Sequence, residues 1–120
     1  MAIRAIRGAI QVDRDDQDEI LGAVAELVTE VLHRNGLDTD DLISILFTST
    51  DDLHAEFPAY AARMAGITDV PLLCARELDI NGAMPRVIRL LAHVETDLHR
   101  SDLHHAYLRG AAALRTDLPK

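Results

Sequence analysis

Arginines and carboxylates are the side chains of this sequence whose placement most clearly indicates chemistry, and Arg89 is the most informative of them. The segment 86–94 alternates at strand spacing, so that Arg89 lies on one face between Val87 and Leu91. The other face is entirely apolar, with Ile88, Leu90, Ala92 and Val94. We expect both faces to be at least partly covered, and a buried guanidinium is costly unless it meets an anion or suitable acceptors. The sequence therefore predicts a negative group beside Arg89.

Three interpretations of the surroundings of Arg89 remain open at this point. Arg89 could pair with a carboxylate of its own chain, or its long stem could reach water from a strand edge. The third interpretation is a bound anionic ligand. Arg7 is a second cation on a mostly apolar strand face.

Other kinds of site have weaker support. The six histidines are scattered, without an i,i+4 pair joined to a carboxylate, so we expect no metal site. Cys74 in Leu-Leu-Cys-Ala is typical of a small buried hydrophobic residue, although a nucleophile is conceivable. His54 is interpreted as a loop-capping or core residue rather than a general base. The glycines form no phosphate-binding loop. What remains suits anion binding: Arg7, Arg63, Arg89 and Arg115, with Tyr107 as donor and Glu77 as acceptor.

Composition narrows the class of protein. The 120 residues suffice for one domain, 1–120, and 48% of them are hydrophobic. With 20 acidic and 12 basic residues the net charge is -8, which disfavours nucleic acid and anionic membranes as partners. One cysteine, no apolar stretch near membrane-span length and no signal-peptide pattern indicate a cytoplasmic protein.

The periodicities predict an α+β fold with a mixed sheet of about five strands, one long helix and one short helix. The predicted strands are 2–12, 42–49, 70–75 and 86–95. The long helix follows the acidic cluster 13–19 and ends at Asn35-Gly36, and the short helix begins at Pro58 and ends at Gly66. The C-terminal part is ambiguous between a helix from Ser101 and an edge strand at 105–108 followed by a helical turn.

Two helices cannot cover both faces of such a sheet, although several strands are apolar on both sides. A homo-oligomer that seals the second face is the expected solution.

Four ordered motifs resemble the small trimeric chorismate mutases of the AroH class, and the similarity extends over essentially the whole chain. The motifs are Ile3-Arg4-Ala5-Ile6-Arg7-Gly8-Ala9, Asp52-Leu53-His54-Ala55-Glu56-Phe57-Pro58-Ala59, Cys74-Ala75-Arg76-Glu77-Leu78-Asp79-Ile80-Asn81-Gly82, and Tyr107-Leu108-Arg109-Gly110-Ala111 followed by Leu114-Arg115-Thr116-Asp117-Leu118. The resemblance implies a ferredoxin-like trimer with a pseudo-barrel core and active sites between subunits.

Chorismate mutases of this class convert chorismate to prephenate, a pericyclic rearrangement without a cofactor, in aromatic amino-acid biosynthesis. The resemblance implies that Arg7 binds a carboxylate, Tyr107 adds a hydrogen bond, and Arg89 faces the ether oxygen where negative charge develops. Glu77 would accept from the ring hydroxyl and hold Arg89. The further substrate-binding residues implied are Phe57, Arg63, Leu73, Cys74, Ala75, Arg76 and Arg115, although Arg63 and Arg115 could also be peripheral or surface charges. Tyr60 stands where some members carry a basic residue.

Two other functions remain possible at this point. A trimeric enamine or imine deaminase would share clefts between subunits and an arginine for a substrate carboxylate. A non-catalytic regulatory module would bind an anionic metabolite without turnover.

Overall fold

A computed structural model describes residues 1–115. Its five strands form one mixed sheet in the order β3-β2-β4-β1-β5. The strands are β1 (Ala2–Gln11), β2 (Leu42–Ser49), β3 (Leu72–Arg76), β4 (Val87–Thr96) and β5 (Ala106–Leu108). The two α-helices are α1 (Gln17–Arg34) and α2 (Pro58–Met64), and short 3-10 turns cover Thr39–Asp41, Arg100–Asp102 and Arg109–Leu114. The predicted α+β class, with one long and one short helix, is confirmed.

The strand directions make the sheet mixed. β4 pairs antiparallel with both β1 and β2, whereas β3 is parallel to β2 and β5 is parallel to β1. The element order agrees with the predicted strands and helices, since α2 precedes β3 and β3 then leads directly to β4. The order βαβαβββ therefore departs from the βαββαβ arrangement of ferredoxin-like folds.

Helix α1 forms because its sequence combines end signals with an apolar stripe. The Asp16 side chain caps the first turn by accepting a hydrogen bond from the Glu19 backbone at 3.0 Å. Acidic residues in the first turn and basic residues in the last turn suit the helix dipole. Gly36, with φ of 63°, follows the helix as the sequence predicts. The buried residues are Ile20, Ala23, Val24, Leu27, Val28 and Val31.

The main core lies between the helices and one face of the sheet. Phe47, Ile6, Ile10, Ile88 and Val94 are among its fully buried side chains. In β4 the alternate apolar positions are all buried on this side, as the sequence predicts, so the odd positions that include Arg89 face the other way. We call this second surface the open face, and its residues on β1 and β4 include Ile3, Ala5, Arg7, Ala9, Val87, Arg89, Leu91 and His93.

The open face is only partly covered within one chain. Ile3 on β1 and Leu73 on β3 are each 66% exposed. At one end the 3-10 turn after β5 does cover it, where Ala9, Val87, Tyr107 and Ala111 form a second, smaller buried cluster. The C-terminal ambiguity is thus resolved in favour of the short edge strand followed by a helical turn. The last five residues of the predicted domain, 116–120, lie outside the described residues, and with them the last three residues of the fourth motif.

Candidate active site

The strand register places five residues, three of which are site candidates, in one line across the open face. Arg89 on β4 pairs with Thr48 on β2 and with Ala9 on β1. Thr48 pairs in turn with Ala75 on β3, and Ala9 pairs with Tyr107 on β5. Residues that are up to 98 positions apart are therefore neighbours in the sheet, and Arg89 lies at the centre of the line.

Arg7 lies in the next line of the same face. It pairs with Leu91, so it is the diagonal neighbour of Arg89 across β1 and β4. Diagonal partners in an antiparallel pair lie about 7–8 Å apart. Arg7 and Arg89, which the sequence analysis singled out separately, are thus close enough for one dianion to contact both.

Glu77 provides the negative group that was expected beside Arg89. Its Oε2 lies 3.4 Å from Arg89 Nε, and the two side chains are 26% and 41% exposed. Arg89 Nε itself is inaccessible to solvent and has no hydrogen-bond partner within residues 1–115. The solvent-exposed atoms of the Arg89 side chain therefore do not include Nε. Pairing with a carboxylate of the chain is observed, and it leaves the terminal guanidinium nitrogens available for a ligand.

Hydrogen bonds to two residues of β2 also hold Glu77 in place. Its backbone N–H donates to Ser49 O at 2.9 Å and continues the pairing of β3 with β2. The Thr48 hydroxyl donates to Glu77 Oε2 at 2.6 Å. No pattern in the sequence marks Thr48 as a site residue, because its only signal is its position opposite Arg89, which follows from the strand register.

The part of the open face around Arg7 is a basic cavity. It has a volume of about 460 Å³, and its lining includes Arg4, Arg7, His93, Arg100 and His105. His105 Nδ1 accepts a hydrogen bond from the Arg7 backbone N–H at 2.9 Å. In a protein with a net charge of -8, such a concentration of cations indicates a place for an anion.

His105 is a second site residue that no sequence pattern marks. Its pKa is affected by this positive environment. Partial burial lowers its pKa below the ordinary value of 6.5, and the charges of Arg7 and Arg115 lower it further. The imidazole is therefore neutral around neutral pH. Arg115 directly follows the 3-10 turn Arg109–Leu114.

Another group of candidates lies around β3 and the start of α2. Phe57, Cys74, Ala75 and Arg76 line a second cavity of about 400 Å³. Cys74 Sγ accepts a hydrogen bond from Ala59 N–H at 3.3 Å, so the thiol satisfies a free backbone donor in the first turn of α2.

Arg76, Arg63 and Leu73 are also exposed. Arg76 pairs with Asp51 at 3.1 Å. Arg63 lies on α2 with its guanidinium 6.0 Å from the centre of the Tyr60 ring. Leu73 is on the open face.

His54 lines the same second cavity, but its interpretation as a core residue is wrong, because the residue is exposed. The loop is capped by Asp15 instead, which accepts from the backbone N–H groups of His54 and Ala55 at 2.9 Å each. In the described part of the chain no three His, Cys, Asp or Glu side chains are grouped as metal ligands would be.

One chain therefore carries two separate half-sites. The first, which we call the arginine half-site, consists of Arg7, Glu77, Arg89 and Tyr107 on the open face. The second, the β3-α2 half-site, consists of Phe57, Arg63, Leu73, Cys74, Ala75 and Arg76. β3 and β1 are three strand spacings apart, about 14 Å, so Arg7 is remote from the β3 residues within one chain, whereas Ala75 lies in the same line of the open face as Arg89.

Comparisons with known proteins give a consistent result over nearly the whole chain. The family described as "Chorismate mutase type I" matches residues 3–118. A protein named "Chorismate mutase AroH" from Thermus thermophilus is 46% identical over 117 residues, which cover 97% of this chain and 96% of that protein. A protein of the same name from Bacillus subtilis (strain 168) is 39% identical over 119 residues, which cover 98% and 94%.

The fold comparison agrees with these sequence matches. A solved structure of a chorismate mutase from Clostridium thermocellum superimposes with a TM-score of 0.89 at 45% identity, and covers 92% of this chain and 98% of that one. Within residues 1–115 no helix is both long and apolar enough to cross a membrane. The sequence, the sheet and its arginine half-site together identify the chain as a member of the type I chorismate mutase family.

Proposed function

We propose that this protein is an isomerase that converts chorismate to prephenate. The observation that carries the proposal is the arginine half-site, in which Arg7 and Arg89 lie on one sheet face and Glu77 stands against Arg89 Nε. Chorismate carries two carboxylates, and the reaction breaks one C–O bond and forms one C–C bond within the same molecule. No proton or electron has to be supplied, so positioning and electrostatics are sufficient.

Arg89 has the main catalytic role in this proposal. Its terminal nitrogens would face the ether oxygen, where negative charge appears as the C–O bond breaks. A fixed cation at that position stabilises the transition state more than the substrate, because the substrate ether is uncharged. Glu77 Oε2 keeps the Nε side of the guanidinium turned inward, which directs the remaining donors toward the ligand.

Arg7 and Tyr107 would bind the parts of the substrate whose charge does not change. The Arg7 guanidinium would form a charge-assisted hydrogen bond with a carboxylate, and the Tyr107 hydroxyl would donate to the same group. The free oxygen of Glu77 would accept from the ring hydroxyl. These contacts hold the flexible enolpyruvyl arm over the ring, and this orientation reduces the entropic part of the barrier.

The second part of the proposal is a homotrimer in which the β3-α2 half-site of one protomer meets the arginine half-site of the next. Two features support it: the half-sites are separated within one chain, and Ile3 and Leu73 are each 66% exposed on the open face. Burying those side chains against a neighbour is favourable, at about 25 cal/mol for each Å² of apolar surface. Phe57, Cys74 and Ala75, with Arg63, Arg76 and Arg115, would then complete the lining around the substrate.

The proposal extends to the cellular role. Prephenate would serve phenylalanine and tyrosine biosynthesis in the cytoplasm, and we assign no cofactor to the reaction.

A direct assay tests the function. The purified protein is incubated with chorismate, and the loss of chorismate and the appearance of prephenate are measured against the uncatalysed rate. We expect rapid turnover that saturates with substrate, from a species that sediments as a trimer. Binding of chorismate without turnover would contradict the proposed reaction, and a fully active monomer would contradict the interface site.

A further inference from the structure

Thr48 lies beside Glu77 and Arg89 of the arginine half-site, although the residue itself is small and uncharged. It is on the open face of β2, directly opposite Arg89 in the register of β2 and β4. Its hydroxyl donates to Glu77 Oε2 at 2.6 Å, a short distance for a bond between a hydroxyl and a carboxylate. The pairing of β2 with β4 thus brings the donor, the carboxylate and the arginine together.

The same carboxylate oxygen faces Arg89. Glu77 Oε2 lies 3.4 Å from Arg89 Nε, and Nε is inaccessible to solvent and has no hydrogen-bond partner within the described residues. Oε2 therefore stands against the Nε side of the guanidinium, which is the side turned away from solvent. Because a guanidinium is planar and its donors form a fixed fork, fixing the Nε side also fixes the direction of the two terminal nitrogens.

Without the Thr48 hydroxyl, the Glu77 side chain would lose its direct anchor to the sheet. Glu77 follows the end of β3, and its side chain is 26% exposed, so alternative rotamers toward water are open to it. Arg89 could then follow the carboxylate or turn to solvent. The Thr48 hydroxyl orients the Glu77 carboxylate. The packing of the strand does not depend on this hydroxyl, since valine has nearly the same shape and suits a strand equally well.

We propose that Thr48 is a positioning residue, which acts through Glu77 to aim the terminal nitrogens of Arg89 at the ligand. The inference rests on the proposed function for its effect on turnover, but its geometric part concerns Glu77 and Arg89 alone. The Thr48 hydroxyl also donates its hydrogen bond to Glu77 Oε2, so the other oxygen of the Glu77 carboxylate remains free to accept from a ligand hydroxyl.

The test compares Thr48→Val, which removes only the hydroxyl, with Thr48→Ser, which retains it. Ser44→Ala is the matched control, because Ser44 is on the same strand and the same face but its hydroxyl lies 3.2 Å from His93 Nδ1. Misplacing a catalytic group by about 1 Å can reduce a rate by up to about 100-fold, so we expect kcat of Thr48→Val to fall by roughly 10- to 100-fold with a smaller change in KM. Thr48→Ser and Ser44→Ala should stay within about 2-fold of the wild type. Thr48→Ala replaces Thr48→Val if the valine variant does not fold.

A second measurement is independent of turnover. The exchange of the Arg89 Nε proton with water, followed by NMR in the unliganded protein, should be slow in the wild type and in Thr48→Ser and clearly faster in Thr48→Val. Unchanged exchange and unchanged kcat in a folded Thr48→Val protein would overturn the inference, as would a Thr48→Ser variant as impaired as Thr48→Val. Faster exchange in Thr48→Val than in the wild type, together with a wild-type protein that fails to convert chorismate, would instead support the positioning role and reject the proposed function.

Discussion

Replacing Arg89 with glutamine tests the central electrostatic argument. Glutamine keeps a polar side chain and some hydrogen-bonding capacity, but it removes the positive charge. If the charge matches one that develops only in the transition state, kcat should fall strongly and KM should change much less. Loss of one preorganised donor in a closed site costs about 10²–10³ in rate, and we expect Arg89→Gln to lose at least that much kcat on chorismate.

The structure also predicts the effect of this change on stability. A fully buried ion pair that loses one partner costs about 3–5 kcal/mol of unfolding free energy. Arg89 and Glu77 are 41% and 26% exposed, and their closest approach of 3.4 Å does not form a hydrogen bond. This pair is closer to a surface ion pair, which is worth about 0–1 kcal/mol. Urea denaturation should therefore show a loss of only about 1 kcal/mol for Arg89→Gln.

Arg109→Gln is the control. Arg109 forms a comparable pair with Glu26 at 3.1 Å, with side chains 38% and 44% exposed, and it is outside both half-sites. Its replacement should give a similar small change in stability and nearly normal kcat. A well-folded Arg89→Gln protein with near-normal kcat would refute the mechanism. A loss of several kcal/mol in stability with no specific effect on kcat would show that Arg89 is a structural ion-pair residue.

Three further predictions concern the elements around the site. Gly8→Ala should reduce the unfolding free energy by about 1–3 kcal/mol, because an added Cβ would lie 3.2 Å from the Ala106 backbone oxygen on β5. Gly22→Ala should raise it by about 0.5–1 kcal/mol, because Gly22 is in α1 and an added Cβ there would have no other atom within 4 Å; urea denaturation measures both changes. His105, whose folded pKa is lowered by burial and by nearby arginines, should titrate below 6.5 by NMR. The unfolded chain then binds the proton more readily, so stability should be fully present above pH 6.5 and decrease as the pH falls through the folded pKa, and His105→Gln should remove this part of the pH dependence. Cys74→Ala should keep substantial activity, because the thiol accepts a backbone hydrogen bond and no proton transfer or covalent step is proposed; complete loss of activity with a trapped covalent adduct would contradict this.

The sequence could determine which residues share a face, because side-chain periodicity along a strand or helix is a local property. The alternation in β4 placed Ile88 and Leu90 in the core and Arg89 on the opposite face, and the structure agrees. The end signals of α1 and α2 likewise lie within a few residues of the helix ends that they define. The four ordered motifs carried the family assignment, since their order and spacing need no structural information.

Only the tertiary structure decided which strands are neighbours, because that depends on contacts between residues far apart in the sequence. The strand order β3-β2-β4-β1-β5 places Thr48 opposite Arg89, and no local pattern in the sequence marks Thr48. The short β5 could not be distinguished from a helix, since its three residues owe their conformation to parallel pairing with β1. The buried Asn35 side chain adds a distant constraint, because it bonds to both the N–H and the carbonyl of His104 just before β5. The sequence thus determined the chemistry of the arginine half-site, and long-range pairing determined its geometry.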